Sequence, residues 1–320
     1  MTSRDTLRVG LVGGRGFVGA ELLRLFGARK DISVSWLTST TAAGRPVAER
    51  ITHAPPGLVF SSPNPEERLR EPIDVLVLAL PNGETGPWLK ALAESEGASR
   101  ILVLDLGADH RGAVDFVYGL PARRRDEIRN ARRIANPGCY ATAIEIALDP
   151  LVPWLEGTAY AFGVSGYSGA GTTPSPRNDP ERLRDNVSPY CLVDHVHERE
   201  VAHELEHPVR LLPHVAPFFR GISVTLTGSF DRVVTRRDVV DRMGLRWAYE
   251  PLVSVKDEAP QVRDIRGRHD VHVGGVEVGR DGRSFSLVAT VDNLLGGAAT
   301  TALRNMNLAT GRAELEGIVL

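Results

Sequence analysis

The sequence predicts an α/β protein: a Rossmann-type doubly wound domain followed by an α+β domain with a mostly antiparallel sheet. Three observations carry that prediction. Short, continuous apolar runs alternate with helix-period segments through the first third of the chain; a glycine-rich turn, GLVGGRGFVG, joins the first run to the first helical segment; and beyond Cys139 the apolar runs lengthen and begin to alternate.

Taken in order, LRVGLVG (7–13) is an apolar strand, and FVGAELLRLFGARK then sets Phe17, Val18, Leu22, Leu25 and Phe26 near helical spacing. VSWLTS (34–39) is the next strand. IDVLVLALP (73–81) and RILVLDLGAD (100–109) are runs of the kind buried in parallel sheets, with the helical TGPWLKALAESEG between them. The cluster RRRDEIRN (123–130) alternates in sign and reads as a solvated helix face. From Ala141 onward, Ile144, Ala147, Leu148 and Leu151 follow the i, i+3, i+4, i+7 spacing of a buried helix. ISVTLTGSF (222–230) and SFSLVATVDN (284–293) read as strands with one covered face, and a long Ala/Leu/Met run predicts a last helix from Leu294 to about Leu308. SSPNPEE (61–67) and GAGTTPSPRNDP (169–180) are loop-like, the second long enough to be functional.

Composition narrows the function classes. The 320 residues, 42% hydrophobic and 24% charged, suit an ordinary globular chain of about two domains. A formal charge of -2 and a pI near 6.5 provide no general attraction to nucleic acid or to an anionic membrane, which leaves a small molecule as the expected partner. No segment has the order of a signal peptide or approaches the ~18 apolar residues of a spanning helix, so the expected location is cytoplasmic. Two cysteines, Cys139 and Cys191, make no disulfide framework, and each is judged singly.

The glycine turn predicts a dinucleotide. Gly14, Gly16 and Gly19 satisfy G-x-G-x-x-G, while Gly13, Gly16 and Gly19 satisfy G-x-x-G-x-x-G. Either pattern, placed between a strand and a helix, allows a tight turn, close approach of backbone to pyrophosphate, and N–H groups aimed at the negative charge. The second strand lacks the Asp or Glu that holds a free ribose 2′-hydroxyl. It ends instead in hydroxyls at Thr38, Ser39, Thr40 and Thr41, followed by Arg45, which favours NADP over NAD.

Cys139 lies just after a Pro-Gly pair and just before the predicted buried helix, in ANPGCYATA. A helix N-terminus lowers a thiol pKa from its free value of about 8.5 and raises the thiolate fraction. Cys191 has no such signals and reads as inert. Histidine is the natural base for such a thiol; His195, His197, His203 and His207 cluster in YCLVDHVHEREVAHELEH. HELEH (203–207) is also a literal H-E-x-x-H, the metal-binding element of zincins, so a zinc hydrolase is the competing class. Pro208 disfavours helix at His207 and no third ligand stands out, so no metal is expected.

Four dispersed blocks, ANPGCYATA, GVSGYSGAG, PHVAPFFRGI and VDNLLGGAATTALRNMNLATG, together resemble the N-acetyl-γ-glutamyl-phosphate reductase family of arginine biosynthesis, from the glycine loop to the last helix. The resemblance implies an NADP-binding Rossmann domain over 1–139, a catalytic and oligomerisation domain over 140–293, and a segment over 294–320 whose helix returns to the first domain. It implies NADPH-dependent reduction of an acyl phosphate to a semialdehyde through a thioester on Cys139, with His197 as base and His195 in support, their order being open. The His-x-His-x-x-Glu element of the family is matched by His195, His197 and Glu200, while Asp194, Val196, Glu198 and Arg199 depart from its usual residues. Cofactor contacts are expected from Gly13, Gly14, Arg15, Gly16, Phe17, Val18, Gly19, Ser39, Arg45 and Asn293, and substrate contacts from Arg111, Asn136, Ser165, Gly166 and Arg220. A homotetramer or homodimer is implied. Reductases of aspartyl or carrier-linked aminoadipyl phosphates are the nearest rivals, and an NADP-sensing protein without catalysis is a further alternative.

Overall fold

Seven strands form a wholly parallel sheet in the order Phe60–Ser61, Ile32–Thr38, Leu7–Val12, Val75–Leu78, Leu102–Asp105, Arg133–Ala135 and Val117–Tyr118. The computed structural model describes residues 6–319; positions 1–5 and 320, at the outer ends of the expected first and last segments, lie outside them. Val75–Leu78 and Leu102–Asp105 are buried along their whole length, which is why they read as unbroken apolar runs. Trp36 stacks on Trp88 at 5.7 Å within the core beside this sheet. The described residues divide into two compact units, one of 6–137 with 298–319 and one of 138–297, so Gly138 and Cys139 group with the second.

The second unit is built on a mixed sheet in the order Val253–Lys256, Val271–Val278, Ser284–Val291, Ile222–Phe230, Leu155–Gly166, Val209–Ala216 and Ser188–Pro189. Its three inner pairings are antiparallel, Ser284–Val291 with Val271–Val278 and with Ile222–Phe230, and Ile222–Phe230 with Leu155–Gly166, whereas Val209–Ala216 joins Leu155–Gly166 and Val253–Lys256 joins Val271–Val278 in parallel. Ala159, Ala161, Val224, Leu226, Leu287 and Ala289 turn to the covered face, where helix Cys139–Leu148 packs; Tyr160 and Phe162 alternate to the other side and are exposed.

Two helix starts differ from the sequence expectation. The buried helix begins at Cys139 itself, with Gly138 as its N-cap. The last helix, expected from Leu294, is regular only over Thr300–Ala309 and is preceded by a π turn at Leu295–Ala299. The Asp292 carboxylate accepts the N–H groups of Leu294 and Leu295, and Gly297 lies so close to Cys139 that a Cβ there would sit 2.7 Å from the Cys139 Cβ. The RRRDEIRN cluster lies in helix Pro121–Asn130, but one side of it is not solvated: Ile128 is buried and Arg125 pairs with Glu314 at 2.7 Å.

Candidate active site

Cys139 is the first residue of a helix whose other nine residues are all buried, and it is itself only half-buried. The sulfur therefore sits at the positive end of the helix. Glycine at the cap leaves no side chain to accept from the helix N–H groups, and the Gly138 N–H instead donates to Oε1 of the buried Glu200 at 2.8 Å. Tyr140, next in the helix, donates its hydroxyl to the His214 carbonyl at 3.1 Å.

A ring cluster gathers beside this helix start. The rings of His195 and His197 are 4.9 Å apart, Tyr140 lies 6.2 Å from His195 and 6.0 Å from His197, and Tyr190 lies 5.6 Å from His195. Helix Val196–Leu205 produces the arrangement: His195 is its N-cap, and Nδ1 of His195 accepts the His197 backbone N–H at 3.1 Å. Burial first, and the charge of Arg177 second, lower the His195 pKa from 6.5 to about 4, so this ring is neutral near pH 7. Burial, and then the nearby Cys139 sulfur when it is an anion, hold the Tyr190 hydroxyl above its ordinary range. Tyr140 is raised as well, by burial, then by Tyr190 and then by Cys139. Cys191 is exposed, with a left-handed φ of 44°, and its Sγ–H reaches only the Val193 carbonyl at 3.7 Å.

In the first unit the glycine turn has divided roles. Gly13 adopts φ 75°, and a Cβ there would meet the Ala79 carbonyl oxygen at 2.2 Å; at Gly19 it would strike the Gly14 Cα at 2.6 Å. Gly16, the N-cap of helix Phe17–Gly27, has nothing nearer than the Gly13 oxygen at 3.6 Å, so its outer face is a cradle open to a ligand. Gly13 makes the turn, Gly19 lets the helix pack on Gly14, and a Cβ at Gly14 would run into the Leu37 side chain. Phe17 and Val18 are half-buried in the first helical turn. These residues suit a pyrophosphate at a helix N-terminus.

The hydroxyls at the end of the second strand are partly spoken for. Thr38 accepts the Gly13 N–H at 3.3 Å and Ser39 accepts the Ala42 N–H at 3.1 Å. Arg15 reaches across from the glycine turn and donates to the Thr41 hydroxyl. Arg45 is exposed, its backbone paired with Ala42 and Phe60. Arg15 thus joins the glycine turn to the hydroxyl-rich strand end, a link that sequence spacing does not show.

The expected substrate residues hold internal partners. Arg111 donates to the carbonyls of Asn136 (2.9 Å) and Leu106 (3.1 Å). Asn136 is buried, and its Oδ1 accepts from Asn305 at 3.0 Å. Ser165 donates to the Gly166 carbonyl at 2.9 Å, and Gly166 is pressed against the backbone at Phe219 and Arg220. Arg220 makes a two-pronged pair with the fully buried Asp292 at 2.6 and 2.8 Å. Asn293, expected at the cofactor, accepts the Gly221 N–H at 2.7 Å and donates to the Ser168 hydroxyl at 2.9 Å. Glu200, matched in the His-x-His-x-x-Glu element, proves to hold the Gly138 N–H, while Asp292 is an organising carboxylate with no sequence signal; its burial is the mark, and a single sequence does not display it.

The H-E-x-x-H element is not a helical turn of ligands. Helix Val196–Leu205 ends before His207, with Glu206 in the left-handed region, and Glu204 is buried while His203 is exposed. Among the described residues no three His, Cys, Asp or Glu side chains group as a metal site.

Comparison with known proteins follows the same division. Residues 8–131 match the family described as semialdehyde dehydrogenase, NAD binding domain, and residues 139–293 that described as semialdehyde dehydrogenase, dimerisation domain. The N-acetyl-gamma-glutamyl-phosphate reductase of Xanthomonas axonopodis pv. citri is 44% identical over 310 residues, covering 97% of this chain and 98% of that one. Among solved structures, aspartate semialdehyde dehydrogenase II of Vibrio cholerae complexed with ASA superposes with a TM-score of 0.75 at 18% identity, covering 96% of this chain and 99% of that one. Aspartate semialdehyde dehydrogenase with NADP from Candida albicans gives a TM-score of 0.72 at 18% identity, with 96% and 99% covered. These structures share the fold.

Proposed function

The chain belongs to the N-acetyl-γ-glutamyl-phosphate reductase family, and on that premise we propose that it reduces N-acetyl-γ-glutamyl phosphate to N-acetyl-glutamate 5-semialdehyde with NADPH, in arginine biosynthesis. The observation that carries the proposal is Cys139 as the first residue of a buried helix, beside the His195 and His197 rings.

The Cys139 thiolate attacks the acyl carbon, a C–S bond forms, the C–O bond to phosphorus breaks, and phosphate leaves with the bonding pair. The N–H groups at the start of the Cys139 helix would be suited as donors to the developing oxyanion. His197 takes the thiol proton and returns it when the tetrahedral oxygen collapses to aldehyde and the thiolate leaves. His195 serves it by position: its low pKa and its bond to the His197 N–H suit a neutral spacer better than a base. Gly13, Gly16, Gly19, Arg15 and Ser39 would hold the nicotinamide dinucleotide phosphate, which supplies the hydride. Arg220 acts through the Asp292 carboxylate it holds, and Arg111 and Asn136 brace one another within the first unit.

The exposed sheet face with Tyr160 (49% exposed) and Phe162 (43%) supports self-association as a dimer or tetramer. Among the described residues no helix is long and apolar enough to cross a membrane. A cytoplasmic location is part of the proposed reading. The test is the reverse reaction, with NADP, phosphate and a panel of semialdehydes. NADPH formation with N-acetyl-glutamate semialdehyde supports the proposal, whereas exclusive turnover of aspartate semialdehyde or a carrier-linked aminoadipate semialdehyde would reassign the substrate.

A further inference from the structure

Arg177 lies in the long loop between the strand Leu155–Gly166 and the histidine helix. That loop is shaped by its own side chain: Asn178 donates to the carbonyls of Gly171 (2.9 Å) and Thr173 (2.8 Å), and its Oδ1 accepts from the Ser175 N–H (2.7 Å) and hydroxyl (3.2 Å). The residue next to this knot is therefore delivered to a defined place. The Arg177 guanidinium lies 5.0 Å from the centre of the Tyr190 ring, and Tyr190 stands edge-on to His195. The Tyr190 hydroxyl interacts with that of Tyr140, the residue after Cys139.

Charge pairing sets Arg177 apart from its neighbours. Arg182 and Arg184, further along the same segment, are matched by Asp179 and Glu181. Arg177 is exposed, stacks on an aromatic face, and among the described residues has no carboxylate paired with it. Arg111 and Arg220, the arginines that sequence reading favours for the substrate, donate to internal acceptors. Stacking on a ring orients a guanidinium while leaving its N–H edge available for an oxyanion.

We propose that Arg177 binds an anionic oxygen group of the substrate, the transferable phosphate or the carboxylate, beside the Tyr190, His195 and Cys139 cluster. The assignment rests on the reductase reading and adds a substrate-contacting residue to it. An acyl phosphate with a free carboxylate presents both anions, and the shared chemistry is a planar or tetrahedral oxyanion accepting two N–H bonds.

In the reverse reaction the two anions arrive on separate molecules, so their KM values can be read independently. Arg177→Gln should raise either KM for phosphate or KM for the semialdehyde by about 10- to 100-fold, the span of a lost charge-assisted bond, with kcat and KM for NADP little changed. Which KM moves identifies the anion. Arg177→Lys should recover part of the loss, and Arg182→Gln should match the unmodified protein. Independently of turnover, millimolar inorganic phosphate or N-acetylglutamate should slow alkylation of Cys139 by iodoacetamide in the unmodified protein and not in Arg177→Gln. Unchanged KM values, or a fall in kcat alone that Lys does not rescue, would overturn the proposal and leave Arg177 a support for Tyr190. An unmodified enzyme inactive with every semialdehyde but still protected by an anion through Arg177 would instead remove the reductase reading and keep the anion site.

Discussion

The backbone N–H of Gly138 donates to the buried carboxylate of Glu200 at 2.8 Å, so a side chain 62 residues away caps the helix that Cys139 begins. The cap fixes the cysteine backbone to the histidine helix. Glu200→Gln keeps an oxygen acceptor and should leave stability close to unchanged. Glu200→Ala removes it and should cost about 0.5 to 2 kcal/mol, the range of a lost cap, with a larger fall in kcat than in stability-corrected folded fraction. Urea denaturation alongside turnover measures both; equal behaviour of the two variants would show that the hydrogen bond does not position Cys139.

His195 makes stability depend on pH. Its pKa falls from 6.5 to about 4 on folding, so the folded state binds fewer protons than the unfolded one. This contribution to stability is complete above pH 6.5 and is lost as pH drops through 4. Unfolding free energy measured between those limits should decline with acid, and His195→Asn should flatten that decline. A limb of kcat/KM near pH 4 that disappears in His195→Asn would transfer the base role from His197 to His195.

Much of the fold is legible in the sequence where burial is two-sided. Val75–Leu78 needs no alternation because both faces are covered, and so it reads directly as a parallel strand. Leu155–Gly166 is harder: its covered face is Ala159, Ala161 and Gly163, small residues of which Gly163 makes room for Tyr140, and no bulky alternation advertises them. Val209–Ala216 carries Pro213 in mid-strand, a residue that normally argues against one. Cys139 and the cluster of four histidines are legible from residue type and local spacing, whereas the choice of His195 and His197 among them comes from the family resemblance. The Glu200–Gly138 contact, the stacking of Arg177 and the Arg15–Thr41 link are not, since each depends on contacts that the topology alone brings about.

Cofactor choice should depend on Arg15 as well as Arg45. Arg15→Ala should weaken NADPH binding by roughly 1.5 to 3 kcal/mol and leave NADH little changed, because only the former presents a 2′-phosphate. The exposed Arg45 should matter less, since its side chain is not drawn to the strand-end hydroxyls as Arg15 is. Fluorescence titration with both cofactors checks this; an Arg15→Ala variant weakened equally toward NADH would place the arginine at the pyrophosphate instead.

Self-association should fail when the exposed sheet face is charged. Phe162→Glu faces away from the covered side and should spare the fold while shifting the mass seen by light scattering toward the monomer. An unchanged mass would move the interface elsewhere.

The most direct test of the mechanism is to mix the enzyme with N-acetyl-γ-glutamyl phosphate without cofactor, quench within a turnover, and map the modified peptide by mass spectrometry. The account predicts an N-acetylglutamyl thioester on Cys139, discharged on addition of NADPH, present in Cys191→Ser and missing in Cys139→Ser. Full turnover with no adduct on Cys139, or an adduct on Cys191 instead, would contradict it.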